Sequence, residues 1–244
     1  MMTRRVALVT GGSRGIGAAV ARRLAGDGFD VAITYRSAGD RAAGVAKEVE
    51  AAGGRALTVP AEAADPEAMV AAVERTVREL GRLDVLVSNA GIAPYGALED
   101  VTLAEVDELL AVHARASFVL AQAAARHMGA GGRIVLIGSS LAERVPYPGW
   151  TAYAMSKSAL IGLAKGLARD LGPRGITANV INPGSTDTEM NPATAPEAGE
   201  ERRLTALGRY CDPGEVAAAV SYLAGEGGRA VTGASIPVDA GVTA

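Results

Sequence analysis

Ser140, Tyr153 and Lys157 place a hydroxyl, a phenol and an amine in fixed order along the stretch SLAERVPYPGWTAYAMSK. Tyr153 and Lys157 are four residues apart, so on a helix they share one face, one turn from each other. Ser140 lies across a loop that contains Pro146, Pro148 and Gly149. The chemistry open to such a set is proton transfer at an oxygen. A free tyrosine, with a pKa near ~10, exchanges protons slowly at neutral pH. An ammonium one helical turn away stabilises the phenolate and lowers that pKa. A serine hydroxyl can donate to an oxygen on which charge develops.

The elements that must hold these groups follow a regular pattern. Val6–Thr10, Phe29–Tyr35, Ala56–Val59, Leu83–Val87, Arg133–Ile137, Thr177–Ile181 and Ala234–Val238 are short apolar runs of strand length. Helical segments separate them. One runs on from the glycine turn, and another spans Asp40 to Ala52. A third follows the cap Asp65-Pro66 and ends before Gly81. Thr102 and Glu105 have capping-box spacing and open a long helix to about His127. Helix 150–171 carries Tyr153 and Lys157, and Asp212-Pro213 opens a last helix to about Ala224. Alternating strands and helices predict an α/β fold, a Rossmann-type doubly wound parallel sheet of about seven strands with helices on both faces. No linker or repeat divides the chain, so residues 1–244 read as one domain.

Composition narrows the function. The chain is 49% apolar, enough for a substantial core, and has no uncharged apolar run long enough to span a membrane. The N-terminal MMTRRVALVTGG has no apolar signal segment. Cys211 is the only cysteine, so nothing suggests an oxidising compartment, and the chain reads as cytoplasmic. A net charge of −3 and 4% aromatic content argue against nucleic-acid partners. Two unclustered histidines argue against a zinc site.

TGGSRGIG, Thr10 to Gly17, lies between the first strand and the first helix. Gly11 and Gly15 allow backbone conformations closed to other residues, and Gly17 lets the helix approach the sheet. A helix N-terminus there offers free N–H groups to a pyrophosphate, so Gly11, Ser13, Arg14, Gly15, Ile16 and Gly17 are candidates to bind a dinucleotide. An NAD site usually places an acid at the end of the second strand. Here stand Thr34-Tyr35-Arg36-Ser37, with no carboxylate. Arg36, beside Ser37, and Arg14 suit a 2′-phosphate, which favours NADPH. Glu62 is a candidate for the adenine rim, while Asp65 only caps a helix.

Taken together, TGGSRGIG, Asn89-Ala90-Gly91, Ser140, Tyr153-x-x-x-Lys157 and Asn182-Pro183-Gly184 followed by Thr188 resemble the short-chain dehydrogenases/reductases along the whole chain. The interval of thirteen residues from Ser140 to Tyr153 is typical of that family, and the segment is similar to bacterial 3-oxoacyl-carrier-protein reductases and related ketoreductases. The resemblance implies that Tyr153 is the general acid in reduction and the general base in oxidation. It implies that Lys157 bonds the nicotinamide ribose and stabilises the tyrosinate, and that Ser140 rather than Ser139 faces the substrate oxygen. Asn89, Ala90 and Gly91 would lie on the adenosine side of the cofactor, and Pro183, Gly184, Thr186 and Thr188 near the nicotinamide. Relatives commonly have Asn where this chain has His113, in a helix that holds a proton relay to the lysine. His113 would add a group titrating near neutrality, so replacing it by Asn is expected to alter the pH–rate profile. The other departure is Asp239-Ala240-Gly241, where relatives often carry two glycines.

Ala93–Leu98, Leu141–Trp150 and Ser185–Leu207 are expected to line the substrate cleft. Pro94, Tyr95, Val145, Tyr147 and Trp150 give it an apolar character suited to a ketone or 3-oxoacyl thioester, with Arg144 as the one charge of interest. Residues 185–207 read as a lid. Helix 150–171 has apolar residues beyond one face, including Met155, Leu160, Leu163 and Leu167, with Gly162 and Gly166. Together with the resemblance, this predicts a homo-oligomer, dimer or tetramer. The alternatives to an NADPH-dependent reductase are an NAD-dependent alcohol dehydrogenase and a cofactor-binding protein with little turnover.

Overall fold

The computed structural model describes residues 4–244, so the first three residues of the N-terminal stretch lie outside it. Seven strands form one parallel sheet: β1 (Val6–Val9), β2 (Asp30–Tyr35), β3 (Ala56–Pro60), β4 (Val85–Ser88), β5 (Arg133–Ile137), β6 (Thr177–Pro183) and β7 (Ser235–Val238). Their spatial order is β3-β2-β1-β4-β5-β6-β7. The order reverses between β1 and β4, which opens a crevice at the carboxyl ends of those strands. β1, β4 and β5 are buried along their whole length, as expected of apolar strands covered on both faces.

One face carries α1 (Gly15–Gly26), α2 (Gly39–Ala51) and α8 (Pro213–Ala224) over a core that includes Leu24, Ile33, Val85 and Val220. The other carries α3 (Pro66–Leu80), α5 (Ala116–His127) and α6 (Thr151–Leu171) over Leu8, Met69, Leu120, Ile134 and Leu160. Within 185–207 the chain forms the short helix α7 (Ala198–Leu204). Among the described residues no helix is long and apolar enough to cross a membrane.

Two expectations change. Strand β6 runs past Ile181 because Asn182 and Pro183 pair with Pro237 and Val238 of β7. The long helix predicted from Thr102 starts on its capping box as α4 (Leu103–Leu110) but widens into a π-turn at Ala111–Arg115 before continuing as α5. The Ala116 N–H reaches back five residues to the Ala111 carbonyl. The turn centres on His113, whose buried side chain is held by groups outside the helix. π-turns are frequent where a helix serves a functional site.

Candidate active site

β5 ends at Ile137, and Gly138 turns the chain so tightly that a β-carbon there would lie 2.1 Å from Asn182 Oδ1. The same Oδ1 accepts from the Ser139 amide at 3.2 Å, and the Asn182 amide group donates to Glu143 and Ser235. This fixes Ser139 as the first hydroxyl after the strand. Its Oγ accepts from the Leu141 amide at 3.1 Å, which leaves its proton free to be donated. Ser139 is the hydroxyl that acts on Tyr153, lowering its proton affinity. Ser140, the residue expected from the interval to Tyr153, is buried in the same turn and gives its carbonyl to the amides of Glu143 and Arg144.

Tyr153 and Lys157 stand on the first two turns of α6, as their spacing requires. The Tyr153 ring is half-buried. It meets the edge of His113 at 5.5 Å and the edge of Trp150 at 5.4 Å, and Trp150 stacks on Tyr95. Lys157 is buried, with Nζ 5.9 Å from the Tyr153 ring centre and 2.9 Å from the Ile137 carbonyl, to which it donates. Burial pushes the Lys157 ammonium down to about 8. Burial pushes Tyr153 up to about 12, against a smaller opposing effect of the Ser139 hydrogen bond. This reverses the expected lowering of the tyrosine pKa. Burial of the phenol is the cause, and the Lys157 ammonium faces the Ile137 carbonyl. The phenol is thus held protonated at neutral pH.

His113 is 1% exposed. Its Nε2 accepts from the Ile92 amide at 3.1 Å, so Nδ1 carries the proton and donates to Ser156 Oγ at 2.8 Å. Ser156 in turn donates to the Tyr153 carbonyl at 2.7 Å. Burial, and then the Lys157 charge, hold His113 down at about 2. It does not titrate near neutrality, and that expectation is corrected too. The ring is a neutral strut between the loop after β4 and the helix that carries Tyr153.

At the other end of the crevice, Gly11 and Gly15 have φ of 64° and 53°, the left-handed region that favours glycine. A β-carbon on Gly17 would stand 2.3 Å from the Gly11 carbonyl. No side chain caps α1, so its first amides are open to an anion. Ser13 and Ile16 lie in the same turn. Asn89 donates to the Thr10 and Gly11 carbonyls, and Thr10 Oγ1 accepts from the amides of Asn89 and Ala90. At Gly91 the loop after β4 passes close to α6. A β-carbon there would lie 3.2 Å from His113 Nε2 and 3.6 Å from Lys157 Nζ.

Arg36 and Glu62 are brought together at the ends of β2 and β3, 3.8 Å apart, with exposed Ser37 next along the chain. Thr188 packs against Gly15, Thr186 donates to the Gly184 carbonyl, and Gly184 fits where a β-carbon would strike Asp239. Pro183 is buried at the end of β6. Arg144 donates to the Val242 carbonyl. Sequence reasoning missed Thr10, Ser139, Ser156 and two charged residues over the glycine turn, Arg41 and Glu189, which form an ion pair.

The family described as enoyl-(acyl carrier protein) reductase matches residues 11–243. The chain is a short-chain dehydrogenase/reductase. As such it is an NAD(P)-dependent oxidoreductase. It is 44% identical over 237 residues to the cyclic-di-GMP-binding biofilm dispersal mediator protein of Escherichia coli (strain K12), covering 97% of this chain and 96% of that one. It is similar to a short-chain dehydrogenase from Burkholderia cenocepacia J2315 solved in complex with NADP, at 53% identity and TM-score 0.97, covering 99% and 98% of the two chains. It is also similar to the angucycline C-6 ketoreductase LanV with bound NADP, at 40% identity and TM-score 0.93, covering 98% and 95%.

Proposed function

We propose that this short-chain dehydrogenase/reductase is an NADPH-dependent ketoreductase in which Tyr153 is the general acid. The observation that carries the reading is the meeting of Tyr153 with the Ser139 hydroxyl, one helical turn from Lys157, at the carboxyl edge of the sheet. The uncapped start of α1, flanked by Arg14, suits a dinucleotide pyrophosphate, and Arg14 and Arg36 suit a 2′-phosphate. The NADP-bound relatives support the same cofactor. When bound, the cofactor supplies the hydride.

The chain's own groups supply the rest. Ser139 and Tyr153 hydrogen-bond the substrate carbonyl oxygen and stabilise the charge that develops there. Tyr153, protonated at neutral pH, then gives its proton to that oxygen. Lys157, with two N–H groups beyond the one given to Ile137, binds the nicotinamide ribose and compensates the phenolate left behind. A group held protonated suits reduction at neutral pH; oxidation, which needs the tyrosinate, gains as pH rises. The Tyr95–Trp150 stack, with Trp150 against Tyr153, gives the cleft an aromatic wall suited to a planar ketone. Residues 185–207 act as the lid. Leu160, Leu163 and Leu167 face the core, leaving exposed Met155 on α6 and exposed Phe118 on α5 as apolar surface for a second copy.

The test is turnover of planar ketones and 3-oxoacyl thioesters with NADPH and NADH, in the wild type and Tyr153→Phe. The substitution should lower kcat by about 10²- to 10⁴-fold while NADPH still binds. Equal rates would remove Tyr153 from its role, and faster turnover with NADH would remove the cofactor preference. The E. coli relative's name motivates one added arm: displacement of NADPH by cyclic-di-GMP without ketone turnover would favour a binding protein.

A further inference from the structure

Two guanidiniums converge on one carboxylate oxygen above the glycine turn. Arg14 Nη1 lies 3.6 Å from Glu189 Oε2, and Arg41 Nη1 hydrogen-bonds the same oxygen. The three come from separate elements. Arg14 is the residue that heads α1. Arg41 is in the first turn of α2, which follows β2 almost directly. Glu189 belongs to the lid, one residue after Thr188, whose methyl group covers Gly15. A depression of 370 Å³ between α1 and α2 is lined by these three residues and by Ser13, Gly44 and Val45.

The corner between a glycine turn and the end of the second strand is where a dinucleotide's adenosine ribose is recognised in this type of sheet. Arg14 and Arg41 flank that corner. The neighbouring basic residues are paired elsewhere, Arg22 with Glu48 and Arg36 with Glu62. Among the described residues, Glu189 is the acidic partner that Arg14 and Arg41 share. The Arg41 hydrogen bond holds the Glu189 carboxyl below the usual carboxylate range, so it is charged at neutral pH.

Resting on the NADPH reading above, we propose that Glu189 is a built-in stand-in for the 2′-phosphate: it latches the lid to Arg14 and Arg41 and must give way when NADP(H) binds. Arg41 is then a further determinant of NADP over NAD. A phosphate monoester carries more charge than a carboxylate and offers more acceptor oxygens, so it displaces Glu189 from the pair. NAD(H) has no such group and leaves the latch closed. Glu189 therefore weakens the binding of NADP(H) selectively and couples its arrival to release of the lid's first segment.

The experiment is fluorescence titration of the full-length wild type, Glu189→Gln and Arg41→Ala with NADPH and with NADH, after thermal unfolding has confirmed that each variant folds. Glu189→Gln should tighten NADPH by about fivefold, the scale of two exposed ion pairs, and leave NADH within twofold. Arg41→Ala should weaken NADPH by about tenfold and leave NADH unchanged. A Glu189→Gln variant with an unchanged ratio of NADPH to NADH affinity would overturn the latch. Equal effects of Arg41→Ala on both cofactors would remove Arg41 from phosphate recognition. If the wild type itself prefers NADH, the NADPH reading fails first and takes the latch with it. A wild type that prefers NADPH with insensitive variants sinks the latch alone.

Discussion

At the Tyr153 end of the crevice, Ser139, His113 and Lys157 are buried and tied to backbone groups of Leu141, Ile92 and Ile137. At the glycine-turn end, Arg14, Arg41 and Glu189 are each more than half exposed and touch one another across a surface depression. The difference is physical as well as positional. Buried groups have their proton affinities set by desolvation, so Tyr153 and Lys157 move in opposite directions from their ordinary values. Exposed ion pairs are screened, individually weak and easily exchanged for a ligand's charge. On the proposed function one end sets the chemistry without adapting, and on the proposed latch the other end selects the cofactor and has to open.

The sharpest way to break this comparison is at the buried end. Ser139→Ala should lower kcat by about a hundredfold, the scale of removing one donor from a developing oxyanion. Ser140→Ala, at the next position, should stay within about threefold of the wild type, because its carbonyl, which the substitution keeps, makes the turn's hydrogen bonds. Steady-state kinetics with NADPH and a ketone would decide. A larger loss for Ser140→Ala would return the role to the residue that the interval from Tyr153 favours.

That pair also marks how far the sequence could be read. The sheet was legible because central parallel strands are continuous apolar runs and each is closed by glycine or a helix cap. Tyr153 and Lys157 were legible because helical spacing alone puts them on one face. Ser139 was not. Which of two adjacent hydroxyls faces the phenol depends on how Gly138 packs on Asn182, forty-four residues away in sequence. The π-turn at His113 leaves no mark in the apolar periodicity, because it is held by Ile92, Ser156 and Ser117. The tyrosine's raised proton affinity was not legible, because a sequence shows the nearby lysine and not the burial of the phenol. Arg41 and Glu189 are 148 positions apart, and nothing local to either announces their pairing.

His113 gives a second test of the buried end, with an effect smaller than that of Ser139. Its pKa is about 2 in the folded chain against the ordinary 6.5, so below pH 6.5 the unfolded chain binds a proton that the folded chain refuses. Stability is lost as pH falls through that window, by about 1.4 kcal/mol per pH unit for one such group. Asn does not titrate. The stability of the wild type relative to His113→Asn should therefore fall between pH 7 and 5.5 by about 1 kcal/mol, measured by urea unfolding. The pH–rate profiles between pH 6 and 9 should keep the same shape. Parallel stability curves, or a kinetic pKa that vanishes with the histidine, would show that the ring exchanges protons with the site.

The smallest effect is expected where the segment 185–207, the proposed lid, returns to the body of the protein. Ala240 is the only non-glycine among the described residues with a positive φ, at 53°. Asp239 holds the turn open to that shape by accepting from the amides of Gly241 and Thr243 and from the Thr243 hydroxyl. The Ala240 carbonyl in turn accepts from the Leu207 amide at 3.0 Å, which anchors the end of the segment 185–207. An alanine here is strained by its β-carbon, which glycine lacks. Ala240→Gly should thus stabilise the fold by about 0.5–1 kcal/mol, reduced by glycine's greater freedom in the unfolded chain. Because the anchor is a backbone bond, kcat and NADPH affinity should be unchanged. A fall in NADPH affinity with the gain in stability would show that the strain is felt at the latch, and the two ends of the crevice would then have to be treated as one coupled unit.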